Sequence, residues 1–315
     1  MTANAQRRKS SMLARAVMLL LPLVALAPAA RAAGQLEYYS DYFSFVGEDA
    51  QGKVAFALDN NRGRDGERFQ AEHFVVLHDE REGWLPVHGS GAYPNPAHLL
   101  RDIPDSSDFA FSGAPENGMR IKSGSNGLVL DLEPIPRIVE RRKGKARYWL
   151  GSAAAKLSWK GRTIPGRVIY EYLYRPGWNR LARKYFGTWH DFHALYLRIE
   201  GGGDLYIHRE DPAGEQPLHG TLTAFLVLGG HAVELRETSI SATRRTQAFG
   251  LYRWPVAWQV SFRADGVPYE AELGLVERKT VSNWLIGGFS MGIATGELRH
   301  GAQARALYGL AELIL

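Results

Sequence analysis

Trp189-His190-Asp191-Phe192-His193-Ala194-Leu195-Tyr196-Leu197-Arg198-Ile199 is the stretch on which the fold reading turns. Read as a strand, it sorts by alternate residues onto two faces, because successive side chains of a strand point opposite ways. One face carries Trp189, Asp191, His193, Leu195, Leu197 and Ile199; the other carries His190, Phe192, Ala194, Tyr196 and Arg198. The first face is apolar except for an acid and an imidazole two residues apart. At roughly 3.3 Å per residue their Cα atoms lie about 6.6 Å apart, close enough for the side chains to meet. A carboxyl in apolar surroundings is costly unless paired or protonated. Two readings follow: a hydrogen-bonded bridge that pins two halves together, or a proton-handling pair lining an apolar pocket.

Outward from this strand, nearly every segment after residue 34 has strand character. Arg68–His78 alternates cleanly, with Phe69, Ala71, His73, Val75 and Leu77 on one face. Tyr148–Trp159 and Arg167–Tyr174 are strands joined by a turn at Lys160-Gly161. Gly201-Gly202-Gly203 turns the chain into Asp204–Arg209. Strands continue over 222–228, 231–239, 257–263, 269–276, 284–298 and 304–315, with Gly287-Gly288 read as a bulge. Residues 89–118, dense in Gly and Pro, predict a long irregular excursion. Arg137–Arg147, strongly basic, predicts a solvated hairpin tip, with contact to an anionic lipid or polyanion as the alternative. Pro176-Gly177-Trp178-Asn179 breaks the pattern, and Asn179 is placed to cap a short helix through Tyr185. The domain boundary falls in this region, giving halves at 34–180 and 181–315. Strands spaced about ten residues apart, with turns between, predict an antiparallel all-β protein. Two barrels, or a barrel and a sandwich, would dispose of its edge strands.

Residues 1–33 read as a cleaved export signal. Arg7, Arg8, Lys9 and Arg15 precede an apolar run from Ala16 to Ala27, and Ala30-Arg31-Ala32 fits a cleavage site. Sec or twin-arginine export both fit, and a periplasmic or secreted location follows. The formal charge of +5 resides in this segment: without it, the 38 basic residues fall to 33, equal to the acids. The pI therefore gives no argument for nucleic acid. The 315 residues contain no Cys, which removes disulfides, thiol catalysis and thiolate metal sites. His190 and His193 point to opposite faces of a strand, and His208 and Glu210 lack a third ligand, so no metal site is expected. There is no G-x-S-x-G elbow and no Walker A loop. Glu171, on a face with Ile169 and Leu173, is expected in a strand-end ion pair, and Glu312 in a buried salt bridge.

Several motifs together resemble the carotenoid 1,2-hydratase (hydroxyneurosporene synthase) and AttH-type lipocalin-like family. They are Asp191-Phe192-His193-Ala194-Leu195-Tyr196-Leu197, Asp204-Leu205-Tyr206-Ile207-His208-Arg209, Gly220-Thr221-Leu222, Tyr252-Arg253-Trp254-Pro255-Val256-Ala257-Trp258 and Tyr308-Gly309-Leu310-Ala311-Glu312-Leu313. In the first half, Asp41-Tyr42-Phe43-Ser44-Phe45-Val46-Gly47 and Ala71-Glu72-His73-Phe74-Val75-Val76-Leu77-His78-Asp79 match in order. The family's aromatic pair is offset here to Tyr38-Tyr39, and His193 stands where relatives often have phenylalanine. The resemblance implies two lipocalin-like barrels in tandem and an apolar ligand at their junction.

Two functions follow from these residues. In one, an exported protein binds a hydrophobic small molecule (a terpenoid, carotenoid or lipid) between aromatic walls, with Trp189, Tyr196, Trp254, Trp258 and Trp284 as candidates. In the other, the same pocket is a cofactor-independent hydratase, isomerase or cyclase. There Asp191 protonates an alkene, with His193 or His73 as partner, and the aromatic walls stabilise the cation. An envelope structural role is a third reading. No cofactor and no nucleic-acid partner are expected; contact with a membrane surface, without spanning, is compatible with the sequence.

Overall fold

The computed structural model describes residues 36–66, 68–87, 105–106, 108–177, 191–211, 218, 220–247, 253–284 and 287–314. Residues 1–33, read as an export signal, and the expected Asn179 cap lie outside these residues. The described chain is almost entirely strand, in two antiparallel sheets that both belong to one unit, Gln35–Leu315.

The first sheet comprises β1 (Glu37–Asp49), β2 (Gly52–Asp65), β3 (Arg68–Asp79), β4 (Gly83–Leu85), β5 (Ala110–Ala114), β6 (Gly118–Ser123), β7 (Leu128–Leu132), β8 (Arg137–Lys143), β9 (Ala146–Trp159) and β10 (Arg162–Pro176). Its strand order is β4-β3-β2-β1-β10-β9-β7-β6-β5, with β8 paired to β9. The second sheet comprises β11 (Asp191–Ile199), β12 (Gly203–Asp211), β13 (Leu222–Leu228), β14 (His231–Glu234), β15 (Thr238–Gln247), β16 (Arg253–Ala264), β17 (Val267–Trp284), β18 (Gly287–His300) and β19 (Gln303–Ile314). Its order is β14-β13-β12-β11-β19-β18-β17-β16-β15. The two orders are the same: in each, the first strand pairs with the last and a meander runs outward on either side. Two curled, tandem, lipocalin-like half-barrels result.

Each sheet wraps its own core. Phe43, Phe45, Phe56, Leu58, Leu130, Trp149 and Leu157 fill the first, and Leu195, Leu197, Leu205, Ile207, Trp258 and Phe262 the second. Away from the junction the alternation is clean: Met119, Ile121 and Ser123 of β6 are buried while Arg120 and Lys122 are exposed. At the junction it vanishes. β1 and β2 are buried over long runs on both faces, because one face fills the barrel and the other meets the second sheet. A third apolar cluster lies between the sheets. Ala55, Ala57 and Ala194 let the backbones approach, and Val46, Ile169, Phe225, Met291, Ile293 and Leu310 fill the space.

The structure corrects several local readings. The irregular excursion ends before residue 118: β5 and β6 form a hairpin about Pro115–Asn117, where Gly113 and Gly118 adopt φ of 88° and 90°. Glycine there serves a tight turn rather than an absence of strand. The late strand does not begin at Trp284. β17 runs on through Glu277-Arg278-Lys279 to Trp284, with register shifts at Leu275/Glu277 and Thr280/Ser282, and β18 starts at Gly287. The bulges thus sit in β17 rather than at Gly287-Gly288. The basic hairpin β8–β9 is answered by acids, one its own and two from elsewhere: Arg137 meets Glu140 and also Glu116 of the β5–β6 turn, Arg142 meets Glu140, and Arg141 meets Glu234 of the second sheet.

Candidate functional site

The strand that opens the reading, β11, divides its faces in an informative way. The Leu195, Leu197, Ile199 face points into the second barrel, and His193 goes with it, 2% exposed and edge-on to Trp258 at 6.3 Å between ring centroids. The Phe192, Ala194, Tyr196 face is the one that meets the first sheet. The His193 imidazole therefore does not border the junction. Asp191 begins β11, but its side chain, like that of Trp284 and all of Trp189, lies outside the described residues. Trp254 and Trp258 lie inside the second barrel, with the Arg278 guanidinium over the Trp254 ring at 5.6 Å. His73 lies inside the first barrel, 6.0 Å from the Phe109 ring. Burial and the Arg62 charge hold its imidazole down to about 4. His73, His193 and Tyr196 are thus in three places: first barrel, second barrel and junction.

What the junction does gather is a set of tyrosines around two glutamates. β10 alternates Tyr170 and Tyr172 into the barrel with Ile169, Glu171 and Leu173 outward. β11 and β12 present Tyr196 and Tyr206 from the other side, and β19 presents Glu312. The Tyr206 hydroxyl donates to Glu171 Oε2 at 3.0 Å. The Tyr196 hydroxyl stands 3.4 Å from both Glu171 Oε2 and Glu312 Oε2. Tyr148, wholly buried, faces Glu171 and Tyr206. Tyr42 stacks on Tyr196 with ring centroids 4.8 Å apart and turns its hydroxyl toward Glu312. The two sheets thus share a polar cluster inside an otherwise apolar contact.

Burial dominates the electrostatics of this cluster. It raises Glu171 to about 7, reinforced by the nearby Asp59 charge and opposed by the hydroxyls of Tyr206, Tyr148 and Tyr196. Burial also drives Tyr42, Tyr148, Tyr196 and Tyr206 well above the ordinary phenol value, so they stay neutral donors. A glutamic acid that is partly protonated near neutrality, set among neutral hydroxyls, can donate and recover a proton. In place of a strand-end ion pair, Glu171 meets hydroxyls among the described residues.

One end of the junction is closed and the other is looser. At the closed end, Arg167 and Ser152 bind Asp204, His78 Nε2 meets Glu277 at 3.0 Å, and Lys53 lies 5.2 Å over the Tyr308 ring. The centre is filled with side chains rather than hollow. At the Glu171 end the apolar residues Leu173, Phe74, Phe192 and Phe289 are only half-buried. Phe74 and Phe289 meet there across the two sheets, 4.7 Å between centroids. Glu171, as a whole residue, is likewise half-buried.

Sequence reasoning placed Tyr196 among ligand-contacting residues but passed over Glu171 as an ion-pair partner. The available signal was the apolar company of Ile169 and Leu173 on its face. The pairing Tyr42↔Glu171 across β1–β10, and the approach of Tyr206, come only from three-dimensional register.

No family model matches the chain, and no curated protein matches it. Solved structures do. A protein named as an AttH from Nitrosomonas europaea superposes with a TM-score of 0.58 at 14% identity, over 89% of this chain and 92% of the other. Kievitone hydratase from Nectria haematococca superposes with a TM-score of 0.50 at 11% identity, over 88% of each chain. Likeness at this identity establishes the shared fold: lipocalin-like, with AttH-like and hydratase-type proteins as structural neighbours.

Proposed function

We propose that the chain is an exported, cofactor-independent acid–base enzyme of the hydratase or isomerase class. Its substrate is a hydrophobic unsaturated small molecule, terpenoid or lipid-like, that enters the looser end of the junction. The observation that carries this is Glu171, a carboxyl raised to about 7 and facing Glu312 through the Tyr196 hydroxyl. Glu171 gives its proton to one alkene carbon and a cation forms on the other. Water adds to the cation, and the proton it sheds returns to Glu171 or passes by way of Tyr196 to Glu312; the net change is addition of one water. Loss of a different proton from the cation would instead give an isomer. The faces of Tyr42, Tyr196 and Tyr206 stabilise the positive charge, and Phe74, Phe192 and Phe289 supply apolar contact. The fold shared with kievitone hydratase supports the reading at the level of architecture. A pure carrier is the second reading: the half-buried Leu173, Phe74, Phe192 and Phe289 at the looser end would hold an apolar ligand without any chemistry.

The test is to purify the full chain from its own host and identify bound small molecules by native mass spectrometry. The extract is then incubated with the protein in deuterated water. Hydration adds the mass of one water, and either reaction places solvent deuterium on carbon. Glu171→Gln should abolish turnover while still binding the ligand. Equal turnover in wild type and Glu171→Gln, or no solvent-derived atoms in any product, overturns the enzyme reading.

A further inference from the structure

The two ends of the junction differ in how their charges are met. At the closed end Lys53 pairs with Glu80, Lys160 with Glu82, and Arg162 with both Asp49 and Asp79. At the looser end two groups of cations have no such partners. The first is the tip of the β8–β9 hairpin. β9 pairs Arg147 with Tyr174 and Tyr148 with Leu173, so the tip rises just beyond Glu171. Arg137, Arg141 and Arg142 take up Glu116, Glu140 and Glu234. Lys143 and Lys145 stay exposed, with no acid against them among the described residues.

The second group belongs to the other sheet. Register shifts on either side of Arg244 pair the consecutive Arg244 and Arg245 with Ala257 and Pro255. Those two alternate with the inward-facing Trp254 and Trp258, so the bulge turns successive arginines onto the outer face that carries Arg253. All three arginines are exposed, and Arg245 donates to the Arg253 carbonyl at 3.1 Å. On β17, Arg278 lies over the Trp254 ring, and Lys279 pairs with Met291, two residues from Phe289 at the opening. Arg244, Arg253, Arg278 and Lys279 meet no acid among the described residues. Val276 of the same strand is a large apolar side chain that is 61% exposed.

We propose that this end of the molecule docks on an anionic phospholipid bilayer. The hairpin tip of the first sheet and the arginine face of the second meet lipid phosphates, and the apolar opening at Phe74 and Phe289 faces the acyl chains. The complementarity is double: cations for an anionic surface, and half-buried apolar side chains for the layer beneath it. A soluble polyanion would answer the cations and leave the opening uncovered. A hydrophobic small molecule resides in the bilayer rather than in water, so an opening held against the membrane receives it directly. The docking holds whether the junction transforms its ligand or only carries it.

Protein purified from its own host should co-sediment with vesicles of equal parts phosphatidylglycerol and phosphatidylcholine, and not with phosphatidylcholine alone. Lys143→Glu with Lys145→Glu, or Arg244→Glu with Arg253→Glu, should weaken binding roughly tenfold or more, because each cation near such a surface counts for about fivefold. Orientation is read separately. The chain has no Cys, so a polarity-sensitive dye can sit on Thr280→Cys at the looser end or on Gln51→Cys in the β1–β2 turn at the closed end. On the anionic vesicles the first dye should shift to the blue and the second should not. Glu171→Gln should bind vesicles as wild type does, which separates failure of the docking from failure of the acid chemistry. Equal binding to both vesicle types, full binding by either reversed pair, or a shift at Gln51→Cys in place of Thr280→Cys overturns the proposal. Binding with no shift at either dye marks a contact with charge alone and overturns it too. Should a reversed pair not fold, added salt must release wild type from the vesicles; retention in high salt overturns the proposal.

Discussion

Tyr206 of the second sheet donates its hydroxyl to Glu171 of the first across 3.0 Å, so the proton affinity of the acid depends on the docking of the two halves. A hydroxyl that donates to a carboxylate favours its charged form. Tyr206 therefore pulls Glu171 down from the value burial alone would set. Tyr206→Phe should raise the Glu171 titration above about 7. The shift is measurable by ¹³C NMR of glutamate-labelled protein, with Glu171→Gln to assign the signal. If the titration stays put or moves down, the hydroxyl does not hold the charged form.

Glu171 should also shape stability against pH. Its value is raised from 4.5 unfolded to about 7 folded, so between these limits the folded chain holds the proton more tightly. The stabilisation this supplies is full below about 4.5 and is lost as pH rises through about 7. Glu171→Gln, which cannot ionise, should remove that decline and raise the melting temperature most at pH 7 and above. Parallel melting curves of wild type and variant between pH 4 and 8 would contradict this.

His73 should act in the opposite direction. Its folded value is lowered from 6.5 to about 4, so the unfolded chain takes up the proton first. Stability from the neutral ring is complete above about 6.5 and falls as pH drops through about 4. His73→Phe should leave stability near pH 7 little changed and remove the part of the acid loss that this ring contributes, leaving the opposite slope of Glu171 uncompensated. Because the Glu171 and His73 windows overlap with opposite slopes, wild type should look less pH-dependent than either variant. A double variant that behaves like one of the singles would count against independent action.

The sequence made the architecture readable where strands bury one face. Trp254, Trp258, Val260 and Phe262 of β16 alternate with Gln259, Ser261 and Arg263, and no tertiary knowledge is needed to see a strand. The same logic misled at β11. Both of its faces are apolar because one fills a barrel and the other the junction, so periodicity could not say which face His193 shared with a binding site. In β17, Glu277-Arg278-Lys279 reads as a loop because these side chains are solvated, yet their backbone pairs with β18. Glu171 was hidden for a related reason: its partners come from β11 and β12, and no local pattern reports contact between two sheets.

The contact between the sheets also makes a prediction at its closed end. Asp204 of β12 is 2% exposed, and burial pushes its carboxyl up against the pull of Arg167 from β10. Ser152 of β9 donates to the same oxygen as Arg167, so both of these partners come from the first sheet. Removing the cation alone strands a buried acid, which typically costs about 3–5 kcal/mol. Removing both charges leaves an apolar contact that is often close to neutral. Arg167→Met should therefore lower the melting temperature by several degrees, and the loss should grow as pH rises out of the ordinary aspartate range and Asp204 is forced to ionise. Arg167→Met combined with Asp204→Leu should recover most of the loss, although it removes two polar groups instead of one. A double-mutant cycle by thermal denaturation reads the coupling directly. If the two losses simply add, Arg167 holds the sheets by packing rather than by answering the buried charge.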